Sequence, residues 1–381
     1  MKLLVIGLGG CGGRLADEFA RMNQRARSER GITVVSDVFA VNTDQPDLNA
    51  LRKVRTDDRH RIRIGGRKAG EQGVGNMSEL AAELAKEDAD KVIDAIRQTP
   101  RLFEADAFLL IAGAAGGMGS GSIPVISQAI RERHRDKPIY NLIVLPFEHE
   151  ERNEERAIYN SATCMKLARG VTDAIFLVDN QRYVRKDASL RTNLDNINER
   201  IVKPFYDILC SGEERNIKYI GTKILNVGDI ILTLAGWTVI GYGSAPLRGG
   251  NLPLGLSRYF GRKERDPGTG IKALEAAVEE LSFTCNPEEA NRALYILTGP
   301  SKEMNLTVIE KLVDHLKSLA PDAAIRSGDY PRGTSDLDIS LILSELTDVE
   351  KVKRYYTEAA RVAPTVQRMN TERRADNPQD L

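Results

Sequence analysis

The sequence predicts an α/β fold in which a doubly wound parallel sheet is joined by a long central helix to a smaller α+β domain. Three observations support this fold class. Apolar strands alternate with helical segments up to about residue 210, glycine-rich loops follow several strands, and the composition changes near Ser211. Such alternation predicts parallel strands whose carboxyl ends share one edge of the sheet, where ligands bind in folds of this class.

The bulk composition limits the possible functions. The 381 residues exceed what one hydrophobic core usually spans, so two domains are expected. Lys and Arg total 54, as do Asp and Glu, and this zero net charge gives no indication of a nucleic-acid partner. The four cysteines form no C-x-x-C pair, and the apolar start LLVIG is too short for a signal peptide. We therefore expect a cytoplasmic protein without direct membrane insertion.

The first strand, KLLVIG, enters a glycine loop over residues 7–13 and then a helix, RLADEFARMN. The loop satisfies G-x-G-x-x-G, the dinucleotide fingerprint, so an NAD(P)-dependent oxidoreductase is one alternative. That fingerprint needs an acidic residue at the end of the second strand. VVSDVFAVN instead ends in Asn42 and Thr43, with Asp44 just beyond, which argues against a dehydrogenase.

The central stretch, LLIAGAAGGMGSGSIPVI at residues 109–126, carries the strongest signal. An apolar strand leads into a loop of small residues, and Pro124 then stands where the first turn of a helix tolerates proline. Small residues let backbone N–H groups approach phosphate oxygens, and the helix N-terminus adds partial positive charge. The stretch predicts a phosphate-binding loop, with a glycine-rich turn as the alternative. No Walker G-K-[ST] follows it.

The rest of the first domain, residues 1–211, follows the same alternation. A third glycine loop over residues 70–75 meets Asn76, a suitable helix cap. IYNLIVLP and DAIFLVDN are predicted strands, and we expect the charges of the block between them on a solvated helix face. A central helix over residues 193–211 ends the domain.

Residues 212–362 are predicted to form the second domain. The domain begins with the segment KILNVGDIILTLAG and the strand WTVIGYGSA. A surface segment over 251–270 and the helix IKALEAAVEELSF follow, and a strand–helix–strand–strand unit completes the domain. Residues 363–381 are polar and without periodicity, so they are predicted to be a disordered tail.

Four motifs in order resemble the tubulin/FtsZ superfamily of GTP-dependent filament formers. GGMGSG at 116–121 stands at the family's G-G-G-T-G-[ST]-G signature, and GGCG at 9–12 resembles its first loop. NTD at 42–44 and GVGN at 73–76 resemble two further family loops. The resemblance covers about residues 1–362, and INERIVKPFYDILCSGEE and RSGDYP are most similar to archaeal CetZ proteins.

The resemblance implies a site for GTP or GDP, with Mg²⁺, built from these loops. Glu150 and Arg156 resemble the ribose contacts, and Asn180 and Asn198 the guanine contacts. For Asn42 and Asp44, simple turn chemistry is the alternative to ligand contact. The remaining implied contacts are Gly9, Gly10, Cys11, Gly12, Arg14, Gly73, Gly75, Asn76, Gly113, Ala115, Gly116, Gly117, Met118, Gly119, Ser120 and Gly121.

The resemblance also implies hydrolysis of GTP between subunits that assemble head to tail. The incoming subunit's catalytic D-x-x-D resembles Asn226-Val227-Gly228-Asp229, so Asn226 and Asp229 are the implied pair, and a helix N-cap is the alternative role for Asp229. Asn226 cannot accept a proton, and Met118 replaces a threonine, so hydrolysis is expected to be slow.

A cytoskeletal GTPase that controls cell shape in an archaeon is the function that the resemblance implies. Expected partners are further copies of the chain, in filaments and in lateral sheets, and an adaptor on the tail. A GTP-binding assembly regulator with little hydrolysis is the alternative.

Two residue types offer weaker candidates. Cys11 has no nearby His in the pattern and is expected to be a small packing residue in its loop. The four histidines are scattered, so we expect surface residues and predict no protein-held metal site.

Overall fold

The computed structural model describes residues 1–66, 68–69, 73–184, 190–247 and 268–376. Its strands are β1 (Leu3–Leu8), β2 (Val35–Asn42), β3 (Arg61–Arg63), β4 (Ala107–Gly113), β5 (Ile139–Leu145), β6 (Ala174–Asp179), β7 (Gly236–Pro246), β8 (Ala290–Gly299), β9 (Ala324–Pro331) and β10 (Asp336–Leu346). Its α-helices are α1 (Gly9–Arg30), α2 (Gln45–Asn49), α3 (Ser78–Glu87), α4 (Ala89–Arg97), α5 (Gly117–Arg133), α6 (Glu148–Asn153), α7 (Glu155–Arg169), α8 (Leu190–Ser211), α9 (Val227–Thr233), α10 (Gly268–Glu279), α11 (Leu306–Leu319) and α12 (Glu350–Asp376). Gly70 of the third glycine loop and most of the predicted surface segment 251–270 lie outside the described residues.

The first compact unit lies within residues 1–202, 235–238 and 348–376. Its strands follow the order β3-β2-β1-β4-β5-β6-β7, and each pair of neighbours is parallel. β1, β2, β5 and β6 are buried along their whole length, as expected for strands covered by helices on both faces. The predicted doubly wound sheet is confirmed.

The register of the central strands sets the position of the loops. Leu8, the last residue of β1, lies opposite both Val41 of β2 and Ala112 of β4. The loops after these three strands therefore begin at the same level of one sheet edge. Glycines allow the close packing beneath that edge, since a Cβ on Gly12 would lie 2.1 Å from the carbonyl oxygen of Ile111.

The second compact unit lies within residues 203–234 and 239–347. Its strands follow the order β7-β10-β8-β9, with β8 antiparallel to β10 and parallel to β9. The succession β8, α11, β9, β10 is the predicted strand–helix–strand–strand unit, and this α+β arrangement is confirmed.

The unit boundaries differ from those predicted. The units divide at Val202, inside α8, whereas the sequence placed the boundary at the end of that helix. The chain also returns to the first unit at Asp348. The prediction of a disordered tail is wrong for residues 363–376, which belong to α12; residues 377–381 lie outside the described part.

The apolar residues of α12 explain why this polar stretch is helical. Val352, Tyr355, Ala359 and Val366 recur at spacings that place them on one helix face, and all four are buried. In the first unit this face packs against α7. Within the described residues, no helix is long and apolar enough to cross a membrane.

His60 also differs from the prediction that the histidines lie at the surface. It is 7% exposed and stacks on Phe39 with 5.1 Å between ring centroids. Its Nδ1 lies 2.6 Å from Oδ1 of Asp57, and its Nε2 lies 3.3 Å from Oδ1 of Asp37. Burial alone would lower the pKa of His60, but hydrogen bonds to these two carboxylates outweigh it and raise the pKa.

Candidate functional site

A cavity of about 220 Å³ lies at the sheet edge where the glycine loops meet. Most of the predicted phosphate residues line it together. They are Gly9, Gly10, Cys11, Asn42, Asp44, Gly73, Gly75, Gly113, Gly116, Gly117, Met118 and Gly119. Leu8, Thr43, Asp47 and Val74 complete the wall.

Two helices begin at this cavity. α1 starts at Gly9 and α5 at Gly117, and neither helix, each described along its whole length, has a side-chain cap or an acidic residue in its first turn. The first N–H groups of a helix have no partner within the helix, and its dipole places partial positive charge there. Two such ends at one cavity suit a ligand with several anionic oxygens.

Close backbone packing keeps the two helix starts together. Gly9 has φ 71°, a left-handed conformation that favours glycine, and a Cβ there would lie 3.0 Å from the backbone nitrogen of Gly119. The Gly117 N–H donates to the carbonyl oxygen of Gly75 at 3.2 Å. A Cβ on Gly117 would lie 2.5 Å from that oxygen, so the loop over 73–76 can close on α5 because residue 117 is glycine.

Asn160 of α7 holds three of these segments and was not predicted from the sequence. Its Nδ2 donates to the carbonyl oxygens of Asn76 at 2.9 Å and Ala115 at 2.8 Å. Its Oδ1 accepts a hydrogen bond of 2.7 Å from the Ser78 hydroxyl. Asn160 is fully buried, and its amide thus ties the central glycine loop, the third loop and the start of α3 to one helix.

The polar residues after β2 form a tight turn beside the cavity. Oδ1 of Asn42 accepts from the N–H groups of Thr43 at 2.8 Å and Asp44 at 3.3 Å. Asp44 caps α2 by accepting from the Asp47 N–H at 3.2 Å, and Nδ2 of Asn42 donates to Oδ2 of Asp47 at 3.0 Å. These bonds are the turn chemistry that was the alternative to ligand contact for Asn42 and Asp44. The four residues of the turn, Asn42, Thr43, Asp44 and Asp47, nevertheless also line the cavity.

Four residues of the predicted loops make packing or internal contacts. A Cβ on Gly12 would meet Ile111, and a Cβ on Gly121 would lie 2.0 Å from the carbonyl oxygen of Ser78. The Ser120 hydroxyl donates to the carbonyl oxygens of Gly116, the residue before α5, and Gly117, the first residue of the helix. The carbonyl of Ala115 accepts from Asn160, as described above.

Two side chains in the cavity wall have no anion-binding chemistry of their own. Met118 is 7% exposed and brings a thioether where the family signature has a hydroxyl. Burial raises the pKa of the Cys11 thiol above its ordinary value, the nearby Arg14 lowers it by less, and Glu150 adds to the rise. The Cys11 thiol is therefore protonated at neutral pH, which agrees with a packing role and not with a nucleophile.

A larger groove of about 540 Å³ adjoins the cavity at Asp47, which lines both. Arg14 of α1 and Asn198 of α8, two of the predicted nucleotide contacts, line this groove. The helix face of Ile197 and Ile201 is buried as predicted, so Asn198 projects from a well-fixed turn.

Four predicted contacts of the first unit remain. Nδ2 of Asn76 donates to the Glu154 carboxylate at 2.8 Å, and α3 begins after Met77, so the prediction that Asn76 caps this helix is wrong. The Glu150 carboxylate accepts from the Phe147 N–H at 2.8 Å and so caps α6. Arg156 donates to Glu79, Asn370 and the carbonyl oxygen of Asn76, which lies in the third loop. Asn180 begins the short turn that follows β6.

In the second unit, Asn226 and Asp229 form a reciprocal cap at the start of α9. The Asp229 N–H donates to Oδ1 of Asn226 at 2.9 Å, and the Asn226 N–H donates to Oδ2 of Asp229 at 3.2 Å. Nε of Arg326 lies 4.0 Å from Oδ1 of Asp229. The Asp229 carboxylate is about one third exposed, so the cap and the exposure are compatible with a role at the surface.

Asp47 lines both the cavity and the groove and, like Asn160, was not predicted from the sequence, although the sequence offered a signal for it. Asp47 follows Asp44 at the spacing of a helix cap and its third residue, a pattern that predicts proximity. Asn160 gave no signal, because its three partners lie 45 to 84 positions away in the chain.

Comparisons with known proteins agree with this architecture. Residues 2–186 match the model of the Tubulin/FtsZ family GTPase domain, and residues 187–361 match the C-terminal domain of tubulin-like CetZ. The tubulin-like protein CetZ1 of Haloferax volcanii is 32% identical over 372 residues, which are 93% of this chain and 90% of that protein.

Solved structures show the same fold. CetZ1 from Haloferax volcanii, a GDP-bound monomer, has a TM-score of 0.78 at 28% identity and covers 95% of this chain and 100% of its own. CetZ2 from the same organism, a GTPγS-bound protofilament, has a TM-score of 0.80 at 24% identity and covers 96% and 100%.

The fold and the glycine-lined site thus define a cytoskeletal protein of the tubulin/FtsZ class. Within that class, the chain belongs to the tubulin-like CetZ family. The predicted family and fold are confirmed, and the dehydrogenase alternative is abandoned.

Proposed function

We propose that this chain binds GTP and GDP, polymerises head to tail, and hydrolyses GTP where one subunit meets the next. The observation that carries the proposal is the meeting of two uncapped helix N-termini at a cavity lined by glycines. Backbone N–H groups and two helix dipoles favour a chain of phosphates, and side chains larger than hydrogen are excluded at Gly9 and Gly117.

Mg²⁺ would accompany the nucleotide. Asp44 and Asp47 bring two carboxylates to a cavity that would hold a polyanion. Each carboxylate uses one oxygen in the turn after β2, and a hard cation shared with phosphate oxygens would offset the repulsion between the charges. Oxygen ligands and retained waters are the usual surroundings of Mg²⁺ in nucleotide sites.

The adjoining groove is the proposed site for the nucleoside. Asn198 lines it, and an amide can both donate to and accept from the edge of a guanine. Arg14 lines the same groove and would lie beside the sugar or base. Asn180 and Glu150 remain predicted contacts of the base and ribose, whereas the contacts of Arg156 with Glu79, Asn370 and Asn76 favour a role in positioning the third glycine loop.

Hydrolysis would require Asp229 from the incoming subunit to orient the attacking water. Its partner position holds Asn226, whose amide cannot take up a proton. The Asn226 side chain is also engaged as the helix cap, so we expect it to act on the loop and not on the water. Turnover is therefore expected to be slow.

A GTP-binding assembly regulator with little hydrolysis is the second candidate. Met118 and Asn226 favour it, because both replace groups that the family uses near the reacting phosphate. This candidate shares the nucleotide site and differs in that turnover would not depend on contact between subunits.

The wider role follows from the relatives. The CetZ2 protofilament supports self-association in the family, and the archaeal sources of the relatives support a role in archaeal cell shape. Lateral sheets, a cytoplasmic location and an adaptor on the C-terminal residues are further parts of the proposal.

The decisive experiment measures phosphate release from GTP against protein concentration, for the parent chain and for Asp229→Ala. A rate per molecule that rises with concentration and collapses in the variant would support a site completed between subunits. A flat, negligible rate in both, with GTP still bound, would instead support the regulator. Failure of the parent to bind GTP would contradict both candidates.

A further inference from the structure

Three side chains from distant parts of the first unit meet beside the third glycine loop. They are Arg156 on α7, Glu79 in the first turn of α3, and Asn370 near the end of α12. Nδ2 of Asn370 donates to Oε1 of Glu79 at 3.0 Å, and the Arg156 guanidinium donates to Oδ1 of Asn370. Arg156 also pairs with Oε2 of Glu79 at 3.4 Å. We call Arg156, Glu79 and Asn370 the α12 clamp.

The clamp reaches the cavity wall through backbone contacts. The Arg156 guanidinium donates to the carbonyl oxygen of Asn76 at 3.4 Å, and Nδ2 of Asn76 donates to Glu154 at 2.8 Å. The adjacent Gly75 lines the cavity and accepts the Gly117 N–H. Arg156 therefore contacts Asn76, and Asn76 is the chain neighbour of Gly75, which lines the phosphate cavity.

The geometry of Arg156 suits this linking role. Its side chain is 13% exposed, and its planar guanidinium serves three acceptors on three different segments. A guanidinium has five N–H donors in a fixed arrangement, whereas an ammonium is a compact group that cannot span such an array. Burial of Val366, one turn before Asn370, fixes the end of α12 against the unit.

We propose that Arg156 and Asn370 are positioning residues for the nucleotide site, and that α12 holds the loop over 73–76 in the shape that binds GTP. The inference rests on the proposed GTP site. Neither side chain lines the cavity among the described residues, and both act through Asn76 and Gly75. This role replaces the ribose contact predicted for Arg156.

The test compares Asn370→Ala and Arg156→Lys with Thr371→Ala as the matched control. Thr371 is the next residue on α12, is exposed, and donates its hydroxyl to Gln367 within the helix. Two measurements are made on the full chain: affinity for a fluorescent GTP analogue, and amide exchange at Met77 and Gly117, whose N–H groups are bonded within this loop region.

We expect Asn370→Ala to weaken GTP binding about threefold to tenfold, the effect of one or two lost hydrogen bonds. Exchange at Met77 and Gly117 should accelerate even without nucleotide. Arg156→Lys keeps the charge but should show the same loss, because the ammonium cannot replace the three-way contact. Thr371→Ala should match the parent in both measurements.

Parental GTP affinity in both Asn370→Ala and Arg156→Lys would overturn the proposal. Arg156→Lys serves as the deciding variant should Asn370→Ala fail to fold. A parent chain that binds no GTP would sink the proposed function, and amide exchange in the nucleotide-free chain would then decide the clamp separately.

Discussion

Gly12 and Gly13 are neighbours on α1, yet their surroundings are very different. A Cβ on Gly12 would lie 2.1 Å from the carbonyl oxygen of Ile111, a backbone atom of β4. A Cβ on Gly13 would lie 3.7 Å from Leu51, an ordinary contact with a flexible side chain. The first position thus needs glycine for the packing of a helix on a strand, and the second does not.

We predict that Gly12→Ala lowers the free energy of unfolding by about 1–3 kcal/mol or more, the usual range for overpacking. Gly13→Ala should raise it by up to about 1 kcal/mol, because alanine favours the helix. Thermal unfolding of the two variants beside the parent checks both signs. Equal stability of the two variants would contradict this assignment of the Gly12 contact.

The His60 network predicts a characteristic dependence on pH. Its raised pKa contributes stability that is present below about pH 6.5 and is lost as pH rises through the folded-state value. Asp37 and Asp57 behave in the opposite way: burial favours a higher pKa, but hydrogen bonds to His60 outweigh it and lower both values. Their contribution is present above about pH 3.8 and is lost as pH falls.

We therefore predict that His60→Phe destabilises the protein most between about pH 4 and 6.5, by about 1–3 kcal/mol for the lost charged hydrogen bonds. Phenylalanine can keep the stacking on Phe39. Melting temperatures at pH 6 and pH 9 check this, and the difference from the parent should shrink at pH 9. His149→Phe is the control, since His149 is exposed. A difference that grows at pH 9 would be inconsistent with the network.

At the scale of elements, β9 supports the loop that leads to Asn226 and Asp229. The Asp329 carboxylate accepts from the N–H groups of Thr222 at 2.9 Å and Lys223 at 2.5 Å. It is 7% exposed, so water can replace these bonds poorly. β9 thus fixes the backbone a few residues before the cap of α9.

We predict that Asp329→Ala reduces turnover in filaments about tenfold while GTP affinity stays at the parental level, because the nucleotide cavity is formed by the first unit. Phosphate release at high protein concentration and binding of a fluorescent GTP analogue are the two measurements. Asp322→Ala is the matched control, an exposed aspartate just before the same strand. An equal loss of GTP affinity would point to general unfolding and count against the prediction.

Two elements show what local pattern can and cannot reveal. The strand and helix around the central glycines were predictable, but the start of α5 was not: the helix begins at Gly117, whereas the sequence placed residues up to Ser122 in the loop, and Pro124 lies inside the helix and not in its first turn. The end of α12 was not predictable either, because its helix depends on single apolar residues such as Val366 among many polar ones. Composition averaged over that stretch indicates disorder, although the spacing from Ala359 to Val366 is two helical turns.

At the scale of the whole molecule, the sequence predicted the sheet and the sides of the cavity but not the contacts between distant segments. Arg156 shows the limit clearly. Its position after the strand end resembled a ribose contact, yet its Asn370 partner lies 214 positions away and left no local pattern. His60 likewise lies within a basic segment, and one of its carboxylate partners, Asp37, comes from β2, more than twenty positions earlier in the chain.

The zero net charge of the chain and its proposed head-to-tail contact both favour the growth of filaments. The proposed head-to-tail contact would join two different surfaces of each subunit, and such a contact gives filaments when its rotation does not close a ring. With 54 basic and 54 acidic residues, long-range repulsion between subunits is small near neutral pH.

We predict that the chain sediments with GTP above a threshold concentration and scarcely with GDP. Asp229→Ala should sediment at least as well as the parent, since slower hydrolysis leaves more GTP in the filament. High-speed sedimentation at pH 7 with each nucleotide checks this, and a monomer under every condition would refute polymerisation.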